Sequence, residues 1–171
     1  LVFDRAGELV YVQQEEVGAE FDTTVDRDMA IVSLRTLVKP QYYTKAVDNF
    51  INVLSHPTFP QKGLSRVKHQ MEAVIKTGEQ TPDYIADNAF MGLLYGSQPY
   101  GHSSHGTLAT IPKITEAEVK QFYQQHYVAK NAYIVMVGDL SRQKAEALSN
   151  QITDALPAGK PVPTLSMATM S

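Results

Sequence analysis

The hydrophobic pattern begins with a period of two. From Ala19 to Val25, Ala19, Phe21, Thr23 and Val25 share one face, while Glu20, Asp22 and Thr24 share the other. That alternation predicts a half-buried strand. Asp26-Arg27-Asp28 is a polar turn, and Met29–Val38 continues as a second strand with Ala30, Val32 and Leu34 on one side. The pair predicts a β-hairpin. The period then becomes helical. Tyr43–Leu54 spaces Ala46, Phe50, Val53 and Leu54 along one stripe, and His56-Pro57 ends it, because proline disfavours helix at the residue before it. Gln61–Thr77 is an amphipathic helix with Leu64, Val67, Met71, Val74 and Ile75 on its apolar stripe and Gly78 as its cap. Thr81 and Pro82 open a further helix as N-cap and first residue, with Ile85, Ala89, Phe90, Leu93 and Leu94 facing inward.

The second half opens with a long loop, Gly96–Lys113, rich in Gly, Ser, His and Pro. Long loops inside compact domains are often functional. Thr115-x-x-Glu118 is a capping box that starts a helix running to about Tyr127. Ala132–Val137 is apolar throughout and predicts a strand buried on both faces. Gly138-Asp139 leads into a last helix, with Ala145, Leu148, Ile152 and Leu156 inward. A weak pattern over 8–17 suggests a short helix ended by Gly18. Pro157, Pro161 and Pro163 mark the C-terminal stretch as an exposed tail or interdomain linker. Hairpin, helices, strand and helix in this order predict an α+β domain, with helices packed on an antiparallel or mixed sheet. The expected division is a single domain over 1–157 and a tail over 158–171.

Composition narrows the function. The chain has 171 residues, 43% hydrophobic and 19% charged. A domain of this length buries roughly 70% of the surface its unfolded chain would expose, enough for a core. A net charge of −3 and scattered Lys and Arg give no electrostatic case for nucleic acid. Cysteine is absent, so disulfides, thiolate metal sites and a cysteine nucleophile are excluded. No apolar run reaches the roughly 20 residues of a membrane-spanning helix. The first residue is Leu, which suggests a piece of a longer protein, cut at its N-terminal side.

Four groups could carry chemistry. His102 and His105 lie three apart in the loop, but zinc needs three or four ligands and no carboxylate is near them in sequence. Asp26-Arg27-Asp28 could bind a cation or serve acid–base work, although turns are rich in Asp for conformational reasons. His69 and Glu72 share a polar face of the 61–77 helix, which reads first as a solvated surface. Tyr95, Tyr100, Tyr123, Tyr127 and Tyr133 could line a peptide groove, or be core tyrosines with hydrogen-bonded hydroxyls. There is no phosphate loop, no Gly-x-Ser-x-Gly elbow and no His-Glu-x-x-His.

The ordered motifs, taken jointly, resemble a known family. They are Gly18-Ala19, Arg27-Asp28-Met29-Ala30, His56-Pro57-x-Phe59, Leu64-x-Arg66-x-Lys68 and Gln80-x-Pro82. Gln98-Pro99-Tyr100-Gly101, Gly106-Thr107, Ile111, Ile114-Thr115-x-x-Glu118, Phe122, Tyr127, Asn131 and Val137-Gly138-Asp139 complete the set. In this order, over about 18–157, they resemble the pitrilysin/insulinase zinc peptidases, and most closely the N-terminal of that family's two homologous domains in a short bacterial member.

The resemblance implies two similar α+β domains closing like a clamshell around an extended peptide, which adds a strand to a sheet edge. Active members carry His-x-x-Glu-His on a helix upstream of the hairpin, where two histidines bind zinc and the glutamate activates water. That motif is not in this chain. A third ligand, a glutamate, lies on the helix after the hairpin. Anchored on Leu64-x-Arg66 and Gln80-x-Pro82, that position is Val74, which cannot bind zinc. Glu72 stands two residues earlier, about 200° around the helix. No catalytic, cofactor-binding or metal-binding residue is therefore assigned.

The resemblance implies a non-catalytic, substrate-enclosing domain or partner subunit. Its partners would be a second homologous peptidase domain or a catalytic subunit, together with a peptide or protein substrate. Zinc would belong to the full-length protein or its partner. One rival is an active zinc endopeptidase whose His-x-x-Glu-His precedes Leu1; another is a scaffold module. The sequence does not set the compartment, though bacterial paired members of the family are often periplasmic.

Overall fold

A computed structural model describes residues 18–163. The helix expected over 8–17 and the end of the expected tail, 164–171, lie outside the described residues. Strands β1 (Glu20–Val25) and β2 (Ala30–Arg35) pair antiparallel, with Phe21 opposite Leu34 and Thr23 opposite Val32. Five α-helices follow among the described residues: α1 (Pro40–Ser55), α2 (Gln61–Gly78), α3 (Pro82–Tyr95), α4 (Glu116–His126) and α5 (Arg142–Ala155). The fold is α+β, as the alternating and helical periods predict.

The hairpin is held by α1, which packs against β2. Ala19 and Ala46 are buried together, with Leu34 and Tyr42 packed against them. Phe21 meets Phe50 at 5.7 Å between ring centroids. Small residues at 19 and 46 allow a close approach of strand and helix, and the larger residues close the rim. Helix α1 also contacts α5, whose inward positions Ala145, Leu148, Ile152 and Leu156 are the ones the sequence predicts.

A second centre forms where α1 ends. Tyr123 of α4 donates a hydrogen bond from its hydroxyl to the Leu54 carbonyl at 2.6 Å. That carbonyl is one of the last-turn acceptors a helix cannot satisfy internally. Phe59, buried against the Tyr123 ring, holds a positive φ of 46°. That conformation is costly for a residue with a side chain, so its packing must outweigh the local strain.

Two expectations fail. Ala132–Val137 is not a buried strand among the described residues: it has no strand partner there, and Tyr133, Val135 and Val137 are almost fully exposed. A strand exists only with a neighbour, and β1 and β2, the strands among the described residues, pair with each other. The expected inward stripe of α3 is also reversed. Ile85, Phe90, Leu93 and Leu94 are exposed, while Tyr84, Asn88, Met91 and Tyr95 are half-buried. Helix α3 turns this polar-edged face to the 99–101 turn.

The Thr115–Glu118 capping box forms as predicted. The Thr115 amide donates to Glu118 Oε2 at 2.7 Å, and the Glu118 amide donates to Thr115 Oγ1 at 3.2 Å. The Thr115 hydrogen bonds hold the Glu118 carboxyl below its ordinary value of 4.5. A carboxyl depressed in the folded state contributes stability that is present above its unfolded pKa and lost as pH falls through the folded one. Melting temperatures measured from pH 6 to pH 3 should fall less steeply for Glu118→Gln than for the parent chain.

Candidate functional site

The four candidate groups separate in space. The hairpin turn is a clamp on the long loop. Asp26 Oδ1 accepts from the Arg27 amide at 2.8 Å and fixes the turn. Arg27 Nη1 donates to the carbonyls of Tyr100 and His102, at 3.2 and 3.1 Å. The Tyr100 hydroxyl donates to Asp28 Oδ1, and this bond raises the tyrosine pKa. Arg27 and Asp28 are thus engaged with loop atoms, which explains the turn without a cation or acid–base chemistry. Arg27→Met should cost about 1 kcal/mol, the usual net worth of such bonds. It should also speed amide exchange over 99–106, measurable by mass spectrometry.

The loop histidines do not converge. His102 uses its backbone carbonyl, and the His105 ring lies 6.2 Å from Tyr84. The tyrosines divide into two pairs and a single residue. Tyr95 and Tyr100 lie 5.4 Å apart, Tyr123 and Tyr127 stack at 5.2 Å, and Tyr133 is exposed. Burial raises the pKa of both Tyr123 and Tyr127. Tyr123 is therefore a core residue with a bonded hydroxyl rather than part of a groove.

Helix α2 is where metal chemistry would be read. Leu64 and Ile75 are buried, and Val67 and Met71 half-buried, so the core stripe passes through them. Val74 does not join it: 42% of its surface is exposed. The position that the sequence register assigns to the third ligand is therefore an exposed aliphatic side chain. Glu72 is half-buried on another side, and His69 is exposed. Among the described residues no three His, Asp or Glu side chains come close enough to hold a metal ion. The described residues do not fit zinc. The rest of α2 is architectural, with Lys68 Nζ donating to the Pro112 carbonyl at 2.9 Å and so tying the helix to the loop's end.

The sequence did not reveal the contacts made by the C-terminal stretch. The amides of Ala129 and Lys130 donate to the carbonyls of Pro157 and Ala158, at 2.8 and 3.3 Å. Asn131 Oδ1 accepts from the Val162 amide at 2.8 Å. Gly159, with φ +60°, sits where a Cβ would overlap Val128. The Gly and Asn in these positions were the available signal.

The fold is that of a zinc-peptidase-like domain, and no metal-holding group of three His, Asp or Glu forms among its described residues. Residues 113–167 match the family model described as the Peptidase M16 inactive domain. The crystal structure of a peptidase M16 inactive domain from Pseudomonas fluorescens superposes with a TM-score of 0.91 at 38% identity, covering 94% of this chain and 39% of that one. The non-peptidase homolog YmxG of Helicobacter pylori is 27% identical over 87% of this chain and 34% of its own length. The first half of the periplasmic protease PqqL of Escherichia coli shares the fold, with a TM-score of 0.73 at 19% identity over 96% of this chain and 36% of that chain. The chain belongs to the pitrilysin/insulinase (M16) peptidase family, and the inactive-domain description applies to its residues 113–167. It spans about a third of the length of the curated relatives it matches. The motifs pointed to the N-terminal of the family's two domains, whereas the matching model is that of the inactive domain; residues 113–167 carry the latter description.

Proposed function

We propose that this domain is the non-catalytic half of a peptidase assembly, enclosing a peptide or protein substrate beside a homologous domain that carries the zinc. Residues 1–157 would form the domain, and 158–171 a tail or linker that stays tied to Lys130 and Asn131 at its start. The observation that carries the reading is Val74. A catalytic zinc needs three protein ligands and an open position for water, and an aliphatic side chain at the third position removes one of them. Two relatives support the division of labour by their names: YmxG of Helicobacter pylori is a non-peptidase homolog, and Neurospora crassa has a mitochondrial-processing peptidase subunit beta that is 20% identical to this chain. The bacterial relatives favour a bacterial source, and PqqL a periplasmic setting.

The test is metal content and activity of the longest natural polypeptide that carries this chain. The expected result is far less than one zinc per chain and no peptidase activity that a chelator removes. One zinc per chain, with hydrolysis abolished by chelation and restored by zinc, would overturn the proposal in favour of an active endopeptidase.

A further inference from the structure

Prolines shape the stretch that leaves α5. Leu156, Lys160 and Val162 each precede a proline, which biases them toward extended backbone. Pro157, Pro161 and Pro163 have a fixed φ, so ordering the stretch costs little conformational freedom. Gly159, at φ +60°, bends it against Val128, where a Cβ would lie 2.3 Å from the valine Cβ. Val128 is only 2% exposed, yet the side chains of 157–163 are themselves exposed. The stretch is therefore held by its backbone rather than by buried side chains.

The holding contacts fall on one short segment, 129–131. Ala129 and Lys130 donate to the Pro157 and Ala158 carbonyls. The Val162 amide, the N–H between two prolines, donates to Asn131 Oδ1 at 2.8 Å. The other end of the same side chain, Asn131 Nδ2, donates to the His126 carbonyl at 3.3 Å. Only this orientation of the amide satisfies both partners, since Val162 offers an N–H and His126 a C=O. The His126 carbonyl ends α4 and is one of the acceptors a helix leaves unsatisfied. Asn131 thus joins the exit of the chain to the end of α4, and α4 is joined to α1 through Tyr123 and the Leu54 carbonyl.

We infer that 157–162 is a strap latched by Asn131, so that the polypeptide following Val162 leaves the domain from the end of α4 and not from the end of α5. The inference rests on the reading of 158–171 as a linker toward a homologous domain. The latch withdraws 157–162 from the free length of that linker, roughly 20 Å of reach at about 3.3–3.6 Å per residue. It limits how far the enclosure opens. A pull on the linker acts on α4 at its junction with α1, instead of unwinding the last turn of α5.

Hydrogen exchange and small-angle scattering of the longest natural polypeptide carrying this chain test it. In the parent, the Val162 amide should exchange at least about 100-fold more slowly than unstructured peptide. Asn131→Ala should bring it within about tenfold of the unstructured rate and quicken Ala129 and Lys130 in parallel. Gly159→Ala leaves Asn131 in place but forces the strap off Val128, and should give the same pattern. Both variants should raise the radius of gyration. A parent Val162 amide at the unstructured rate would overturn the inference by showing that no latch forms. Release of the strap with an unchanged radius of gyration would overturn it by showing that the latch does not set the reach. Should Asn131→Ala fail to fold, the parent and Gly159→Ala decide. Zinc content and peptidase activity, on which the functional proposal depends, enter neither measurement, so the two failures are distinguishable.

Discussion

Replacing Tyr123 by alanine should cost about 3–5 kcal/mol, the range for emptying an aromatic site in a core. Tyr123 is 9% exposed and joins three parts of the chain. Its ring stacks on Tyr127 and meets Phe59 edge-on at 5.5 Å, while its hydroxyl reaches the Leu54 carbonyl. Truncation would empty the contact between α1 and α4 and remove the packing that holds Phe59 at positive φ. Domains of this size are stable by about 5–15 kcal/mol, so the loss would be a large share of the total. Tyr123→Phe keeps the ring contacts and should cost about 1 kcal/mol, the worth of one hydrogen bond. Urea titration of both variants would check this. A Tyr123→Ala loss no larger than that of Tyr123→Phe would show that the junction is not a packed centre.

The features legible in the sequence were the local ones. The Thr115–Glu118 box forms because donor and acceptor sit within one helical turn; α1 and α5 place their predicted apolar stripes inward, and α2 does so apart from Val74. What failed was the step from apolar to buried. The α3 stripe and Ala132–Val137 are as hydrophobic as predicted, but periodicity says which face is apolar and not whether anything covers it. For Ala132–Val137, no pattern within the run can say whether a neighbouring strand covers it, and none among the described residues does. Contacts between residues far apart in the chain were equally hidden. Arg27 reaches Tyr100 and His102, 73 and 75 positions away, from a turn whose composition suggested only a turn.

The candidate site was legible in a different sense. Val74 became informative only through the register of Leu64-x-Arg66 and Gln80-x-Pro82, because a valine on a helix stripe otherwise reads as core. The structure adds that Val74 leaves the stripe: Leu64 and Ile75 are buried, and it is exposed. His102 and His105 illustrate the reverse case. Their spacing suggested a pair, but one side chain packs by Tyr84 and the other residue contributes its carbonyl.

Gly101→Ala should be the most damaging single-methyl change in the long loop, costing about 3 kcal/mol, the upper end for forcing an extra carbon into a filled site. A Cβ at Gly101 would lie 2.1 Å from the Gly96 carbonyl oxygen and 3.0 Å from its carbon. Both atoms are backbone, and Gly96 caps α3 with φ +54°, so it has little freedom to withdraw. The loop would have to open between α3 and Tyr100. That movement would separate Tyr100 from Tyr95 and take the Tyr100 and His102 carbonyls away from Arg27. The hairpin and the loop should therefore loosen together: exchange over 26–30 and 98–103 should quicken in parallel, beyond what Arg27→Met produces. Gly92→Ala is the control. Its Cβ would meet the Gly101 oxygen at 3.8 Å, an ordinary contact, within a regular stretch of α3. Alanine there should stabilise by about 0.5–1 kcal/mol through helix propensity alone. Opposite signs from two glycines nine residues apart would place the constraint in the backbone approach at 96–101, whereas a neutral Gly101→Ala would show that the loop adjusts freely and that the clamp does not depend on it.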